Sequence, residues 1–226
     1  GQSIQDTTQV PEQWHEKLGN DLHIHTQVKV LRNRLLIQKG DTVNPHVLAD
    51  NERLVRELPY IDDAVIFVEQ VSSDSVDILF FTKDVFSLGV GFEIFDVKYG
   101  KAGIWNKNLL GIGHELYYYL LWNFNEDHQY GHQLGYRIEN IRNTFISAGF
   151  EYRNRWKLEA FQVYVNRDFI TPQTKYAGGA GYASIKEIRD VDIADTILSD
   201  QLLNYDLQDV WFGRSHLLQA RSSSGE

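Results

Sequence analysis

From Val85 onward the chain offers no amphipathic helix of any length, only segment after segment of alternating polar and apolar residues. Ser87–Tyr99 sets Leu88, Val90, Phe92 and Ile94 against Gly89, Gly91 and Glu93. Glu115–Phe124 places Leu116, Tyr118, Leu120, Trp122 and Phe124 on one face. Gly131–Ile141, Thr144–Arg153 and Lys157–Val165 repeat the pattern, Tyr176–Ile185 is a small, glycine-rich version of it, and Leu207–Leu218 reads as a further strand. A period of two over seven such segments confines this region to antiparallel sheet with two unlike faces. The alternation fits a membrane barrel strand, apolar toward lipid and polar toward the lumen. It fits any half-buried antiparallel strand equally well.

The stretch from Gly40 to Asp84 obeys different rules. Asn44 is placed to cap a helix whose first position is Pro45, where a missing N–H costs nothing. Val47, Leu48, Leu54, Val55 and Leu58 recur on one helical face; Asp50, Glu52, Arg53, Arg56 and Glu57 take the solvated ones. Pro59 ends the helix, because the residue before a proline avoids helical angles. Ala64–Val71 and Val76–Thr82 then read as a hairpin turning at Ser72, Ser73 and Asp74. Upstream, Thr26 is the expected cap of an earlier helix reaching about Ile37, with Val28, Leu31 and Leu35 inward. Residues 1–13 are polar and aperiodic, and Trp14–Leu22 reads as a helical turn.

In this order the residues resemble a POTRA domain. The likeness is carried by Gly40, Asp41, Leu48, Glu52, Arg53, Leu54, Arg56, Leu58, Tyr60, Ile61, Asp63, Ala64, Val76, Asp77, Ile78, Thr82 and Asp84. It covers about sixty residues by order and spacing. The family pattern is strand, helix, helix, strand, strand, and only Leu22–His25 is available here for the first strand. The stretch Ile104–Leu116 (IWNKNLLGIGHEL) is similar to the asparagine–leucine–glycine connection between the first barrel strands of the same superfamily. The expected class is therefore α+β: a lead-in over 1–25, a POTRA-like module over 26–84, and the N-terminal part of an antiparallel barrel over 85–226. The superfamily's barrels have sixteen strands, which need over ~300 residues at ~20 for each strand and turn. The expectation is a fragment whose parent gene continues past Glu226.

The resemblance implies an outer-membrane protein of a Gram-negative cell, of the barrel-assembly, polypeptide-transport or bacterial surface antigen type. Its module would stand in the periplasm, and it would help polypeptides insert into or cross the membrane. The implied partners are extended outer-membrane polypeptides and the lipid bilayer, with self-association through open sheet edges. By position, an extended segment would add to the module's edge at Ala64, Val65, Ile66, Phe67 and Val68, where no charge or proline blunts the strand. The first barrel strand, Ser87–Ile94, would be the one that opens toward lipid. The rival reading is a soluble or surface-attached β-sheet binding protein whose aromatic strands line a ligand pocket.

Other chemistry is thin. A net charge of −9 disfavours nucleic acid, whose phosphates need clustered Lys and Arg. There is no cysteine, so no disulfide and no thiolate metal site. His23 and His25 share a face if extended, but two imidazoles without a third ligand do not hold a metal. His128 and His132 flank a hairpin-like loop, and His114-Glu115 lacks the second His of a zinc-protease helix. Gly213-Arg214-Ser215 lacks the last glycine of a nucleophile elbow. Gly178-Gly179-Ala180-Gly181 opens no helix, and the acidic Arg189–Asp200 reads as solvated loop. No catalytic constellation emerges, so neither an enzyme nor a cofactor is expected.

Overall fold

A computed structural model describes residues 24–193 and 196–216. Helix α1 (Val28–Arg32) and helix α2 (Pro45–Arg56) are followed by a hairpin of β1 (Ile61–Gln70) and β2 (Val76–Asp84). An eight-stranded meander then runs from β3 (Leu88–Asp96) through β4 (Tyr99–Asn106), β5 (His114–Asn123), β6 (Tyr130–Ile138), β7 (Ser147–Arg155) and β8 (Leu158–Arg167) to β9 (Tyr176–Ile193) and β10 (Thr196–Arg214). Every neighbouring pair is antiparallel. Antiparallel sheet dominates the chain: both helices and the two-stranded hairpin precede Val85, and the eight-stranded sheet follows it.

Helix α2 forms as its punctuation requires. Asn44 accepts a hydrogen bond from the His46 N–H, Pro45 occupies the first turn, and the helix stops before Pro59. Leu54, Val55, Leu58, Tyr60, Ile61 and Ala64 make the buried core, with Val30, Leu31 and Leu35 packed onto it. Asn51 lies at the same depth. Its Oδ1 accepts from the Leu36 N–H at 2.6 Å, and its Nδ2 donates to the Val47 carbonyl.

Several sequence expectations need correction. The first helix is a short piece, and its N-cap is Gln27 rather than Thr26. It fails to reach Ile37 because Asn51 takes up the Leu36 N–H that a longer helix would have used. Val28 is exposed, and Val30 supplies the inward contact. Ile24 and His25 are irregular, so half of the expected first strand is absent there; Leu22, His23 and the expected helical turn at Trp14–Leu22 lie outside the described residues. Ser87–Tyr99 is not one strand: the chain reverses at Val97 and Lys98, and Tyr99–Asn106 returns as β4. The turn carries no glycine or asparagine at its centre, so nothing in the sequence announced it. Arg189–Asp200 is hairpin rather than solvated loop, since β9 and β10 run far past the ends first assigned to them.

Candidate functional site

The cross-strand register sorts the sheet into two faces. One carries Val90, Phe92 and Ile94 on β3, Ile104 on β4, and Leu116, Tyr118, Leu120 and Trp122 on β5. It continues through Leu134 and Tyr136, then Phe150 and Tyr152, then Phe161, Val163 and Val165, then Ala180 and Tyr182, and ends at Val210 and Phe212 on β10. Among the described residues no second layer lies on this face: its middle is half-buried by strand neighbours, and toward its ends Val90 is 74% exposed and Val210 81%. The other face is polar. Glu151 accepts from the Tyr117 hydroxyl and pairs with Arg153 at 2.8 Å, while Arg137 donates to the Tyr164 hydroxyl and lies 3.7 Å from Glu115. Aromatic rings lie across glycines on that face. A Cβ at Gly135 would meet the Tyr117 ring at 2.2 Å, so only glycine lets the ring lie flat there.

The apolar band is slanted relative to the register. Followed strand by strand from Phe92, the register passes Ala102, Leu120, His132, Asn154, Glu159 and Lys186 and arrives at Asn204. The apolar residues have meanwhile moved to Val210 and Phe212. The band therefore slips by six to eight residues over seven strand steps, about one per step. With ~3.3 Å rise per residue and ~4.8 Å between strands, that slope is about 35°. Strands of membrane barrels tilt by roughly 35–45°. A band square to the axis of a tilted barrel has this slope, and polar residues (His132, Asn154, Glu159, Lys186) begin where it has moved on.

The α/β module grips the rim of the sheet. Thr26 donates to the Asp84 carboxylate through both its N–H (2.9 Å) and its hydroxyl (2.7 Å). Asn108, 1% exposed, donates to the Thr26 hydroxyl at 2.8 Å and accepts from the Gly113 N–H at 2.7 Å. The Gln27 N–H reaches the Gly111 carbonyl. Gly113 has φ +73°, and a Cβ there would meet the Tyr60 hydroxyl at 2.6 Å, so the turn tolerates nothing larger. The Asn-Leu-Gly stretch singled out in the sequence is thus the β4–β5 turn, docked on the module. At the β6–β7 turn, Asn140 donates to the Asn33 carbonyl and Arg34 to that of Glu139. At the β8–β9 turn, Arg53 donates to the Ile170 carbonyl. Arg34 is largely buried, which pulls its pKa down; burial pushes the Tyr60 phenol up to about 12, the Arg34 charge opposing that rise.

Two sets of strand edges remain. On β1, the expected peptide-receiving residues Ala64, Val65, Ile66, Phe67 and Val68 lie in one strand, with Val65 and Phe67 opposite Phe81 and Leu79. The edge is not bare. Arg56 donates to the Ala64 carbonyl at 2.7 Å, and Glu52, which is paired with Arg56, accepts from the Ile66 N–H at 3.3 Å. These two helix residues were expected on solvated faces. They clasp the strand instead, and the first position no described side chain reaches is Val68. Beside β2 lies a groove of about 1100 Å³ of mixed lining, Leu31, Leu35, Ile78 and Phe80 alternating with Arg32, Gln38, Asp77 and Thr82. In the large sheet, β3 and β10 each have one neighbour among the described residues.

The remaining candidates disperse. His25 lies 3.5 Å from Asp84, and His23 is outside the described residues. His132 bonds to Tyr118 and His114 to Tyr136, both on the apolar face, while Glu115 points to the other. Gly178 to Gly181 and Gly213 lie within β9 and β10. Among the described residues no three potential metal ligands cluster. The edge clasp and the slanted band escaped sequence reading because both depend on register, which alternation does not encode.

No family model matches the chain, and no curated protein matches it in sequence. Among solved structures it is similar to BamA from Haemophilus ducreyi lacking POTRA domains 1–3, at a TM-score of 0.50 and 16% identity. The match covers 90% of this chain and 44% of that one, so the chain spans less than half its length. The likeness shows the fold, an antiparallel sheet of the barrel type found in outer-membrane proteins.

Proposed function

We propose that the chain serves at the outer membrane, its sheet in the bilayer and its POTRA-like module in the periplasm, assisting polypeptides to insert or cross. The slanted, uncovered apolar band carries this reading. A soluble sheet would have to bury that face. The β3 edge, Leu88 to Ile94, stands beside the docked module, where a nascent strand would be handed to the sheet. The work is main-chain pairing and needs no catalytic residue or cofactor.

At the module, an extended segment adds to β1 beginning at Val68 and moving toward Ala64. To advance it displaces Glu52 and Arg56 from Ile66 and Ala64. The helix pair acts as a clasp that keeps an empty edge from aggregating. Affinity is weak and nearly independent of peptide sequence, because the ladder reads backbone.

Liposome flotation tests the membrane assignment, and the folding rate of a small outer-membrane barrel into the same vesicles, with and without the protein, tests assistance. Flotation with accelerated client folding is the expected result. A protein that stays soluble and monomeric without detergent overturns the membrane assignment; flotation without acceleration overturns the assisting role alone.

A further inference from the structure

Where the module meets the sheet, a pocket of about 230 Å³ lies between the α1 region and the β4–β5 and β6–β7 turns. We propose that it binds the phosphate of an anionic membrane lipid, held by Lys29, Arg34 and Arg142. The inference rests on the membrane reading above.

Three observations carry it. The first is charge. The protein has a net charge of −9, yet the described residues lining this pocket include three cations, Lys29, Arg34 and Arg142, and no acid. Lys29 and Arg142 are exposed and have no ion-pair partner among the described residues. The acids that act most on Arg34 are engaged by other cations: Glu139 lies 3.7 Å from Arg137, and Glu57 lies 2.8 Å from Arg53. Cations gathered without a carboxylate repel one another until an anion joins them.

The second is a floor of unspent donors. Arg34 has several N–H donors and makes one hydrogen bond among the described residues, from Nη1 to the Glu139 carbonyl at 3.4 Å. Its Nε is buried without an acceptor. Beside it Tyr60, 2% exposed, lines the same pocket, and its hydroxyl has no partner among the described residues. A guanidinium accepts nothing, so the group that completes this floor is an oxyanion, and the planar fork suits phosphate. At the mouth, Arg142 keeps a long side chain at φ +49°, a left-handed conformation better suited to glycine or asparagine.

The third is depth. His114 lines the sheet side of the pocket and stands two residues before Leu116, where the band begins on β5, on the same face. Two residues of a strand tilted by roughly 35–45° rise about 5 Å along the membrane normal. Headgroups fill about 5–8 Å beyond each side of the hydrocarbon core. The pocket therefore lies at headgroup level. Its volume admits a phosphodiester, and the acyl chains would run beside Leu116 and Tyr136 on the band.

The test uses the full chain in detergent micelles. Titrations followed by native mass spectrometry should show phosphatidylglycerol retained in preference to phosphatidylcholine. Lys29→Gln and Arg142→Asn should each weaken that retention about fivefold, the worth of one basic residue near an anionic lipid surface. Asparagine suits the left-handed backbone, so Arg142→Asn should keep or raise the melting temperature while binding falls, a split that a purely structural role would not give. Lys39→Gln, on the module but outside this pocket, should leave retention unchanged. Equal retention of the two lipids overturns the proposal, as does an equal loss in Lys39→Gln. Inorganic phosphate that binds as tightly as the lipid, read by phosphorus NMR, means a site for free oxyanions and overturns the lipid assignment. Flotation on phosphatidylcholine vesicles keeps the two readings apart. A protein that fails to float overturns the membrane reading; one that floats without preferring phosphatidylglycerol overturns this site alone.

Discussion

The α/β module buries the apolar stripe of its second helix, although its hairpin leaves Phe67 and Phe81 half exposed, and the sheet displays a whole apolar face. Leu54 is 1% exposed in the module, and Phe92, of similar bulk, is 76% exposed on the sheet. Both sit in regular elements with clean apolar periodicity. On the membrane reading proposed above, the difference is the solvent each region is built against. A helix and a hairpin in water must cover their apolar stripes with each other. A sheet facing hydrocarbon keeps its stripe outside and turns its ion pairs and hydroxyls inward.

The largest effect that would break this contrast is Leu54→Ala, expected to cost the module ~2–5 kcal/mol through the cavity left behind. Phe92→Ala should cost less in micelles, about 1–2 kcal/mol, since the transfer loss remains but no protein cavity forms around it. Equal losses in chemical denaturation would mean the sheet buries Phe92 in a protein contact. Arginine placed in the band comes next. Val163→Arg should destabilise the bilayer-folded protein by about 2–4 kcal/mol, and Asn154→Arg, past the band's border, by about 0–1 kcal/mol. Similar costs at the two positions in urea titrations from vesicles would erase the slope argument.

The phenol of Tyr60 sharpens the contrast from the module's side. Its folded pKa lies near 12, above the ordinary value of 10, so the folded state holds the proton more tightly. Stability is then unaffected by this group below about pH 10 and falls as pH climbs toward 12, by roughly 2–3 kcal/mol in all. Tyr60→Phe should flatten that alkaline limb as followed by circular dichroism; an unchanged limb would place the ionising group elsewhere. Asn108→Ala, which strands the Gly113 N–H and removes one of the two partners of the Thr26 hydroxyl, should cost about 1–3 kcal/mol, read out as faster proteolysis between module and sheet. The smallest effect belongs to the clasp. Arg56→Ala should change module stability by under ~1 kcal/mol, yet tighten binding of an extended peptide by exposing the Ala64 carbonyl. Amide NMR that shows no shift at residues 64 to 68 with or without Arg56 would locate the receptor surface elsewhere.

Much of this was written locally. The Asn44 cap, the Pro45 start, the stop before Pro59 and the hairpin at Ser72–Asp74 follow from single residues whose backbone preferences leave few choices. The polar–apolar alternation from Ser87 to Val165 likewise set which residues share a face. The first helix stops short of Ile37 because Asn51, fifteen residues after Leu36, competes for the backbone N–H that would continue it. The β3–β4 reversal was missed because Val97 and Lys98 are ordinary residues, and the pairing of both flanking strands rather than turn chemistry folds the chain there.

The sequence by itself determined the period of each element, because period depends only on neighbouring side chains. Tertiary structure alone decided the rest: that the apolar band climbs one residue per strand, that Glu52 and Arg56 close an edge they were expected to ignore, and that Asn108 ties a distant turn to Thr26. Each depends on which residues stand opposite one another, and register is fixed by pairing between segments, which no one segment encodes.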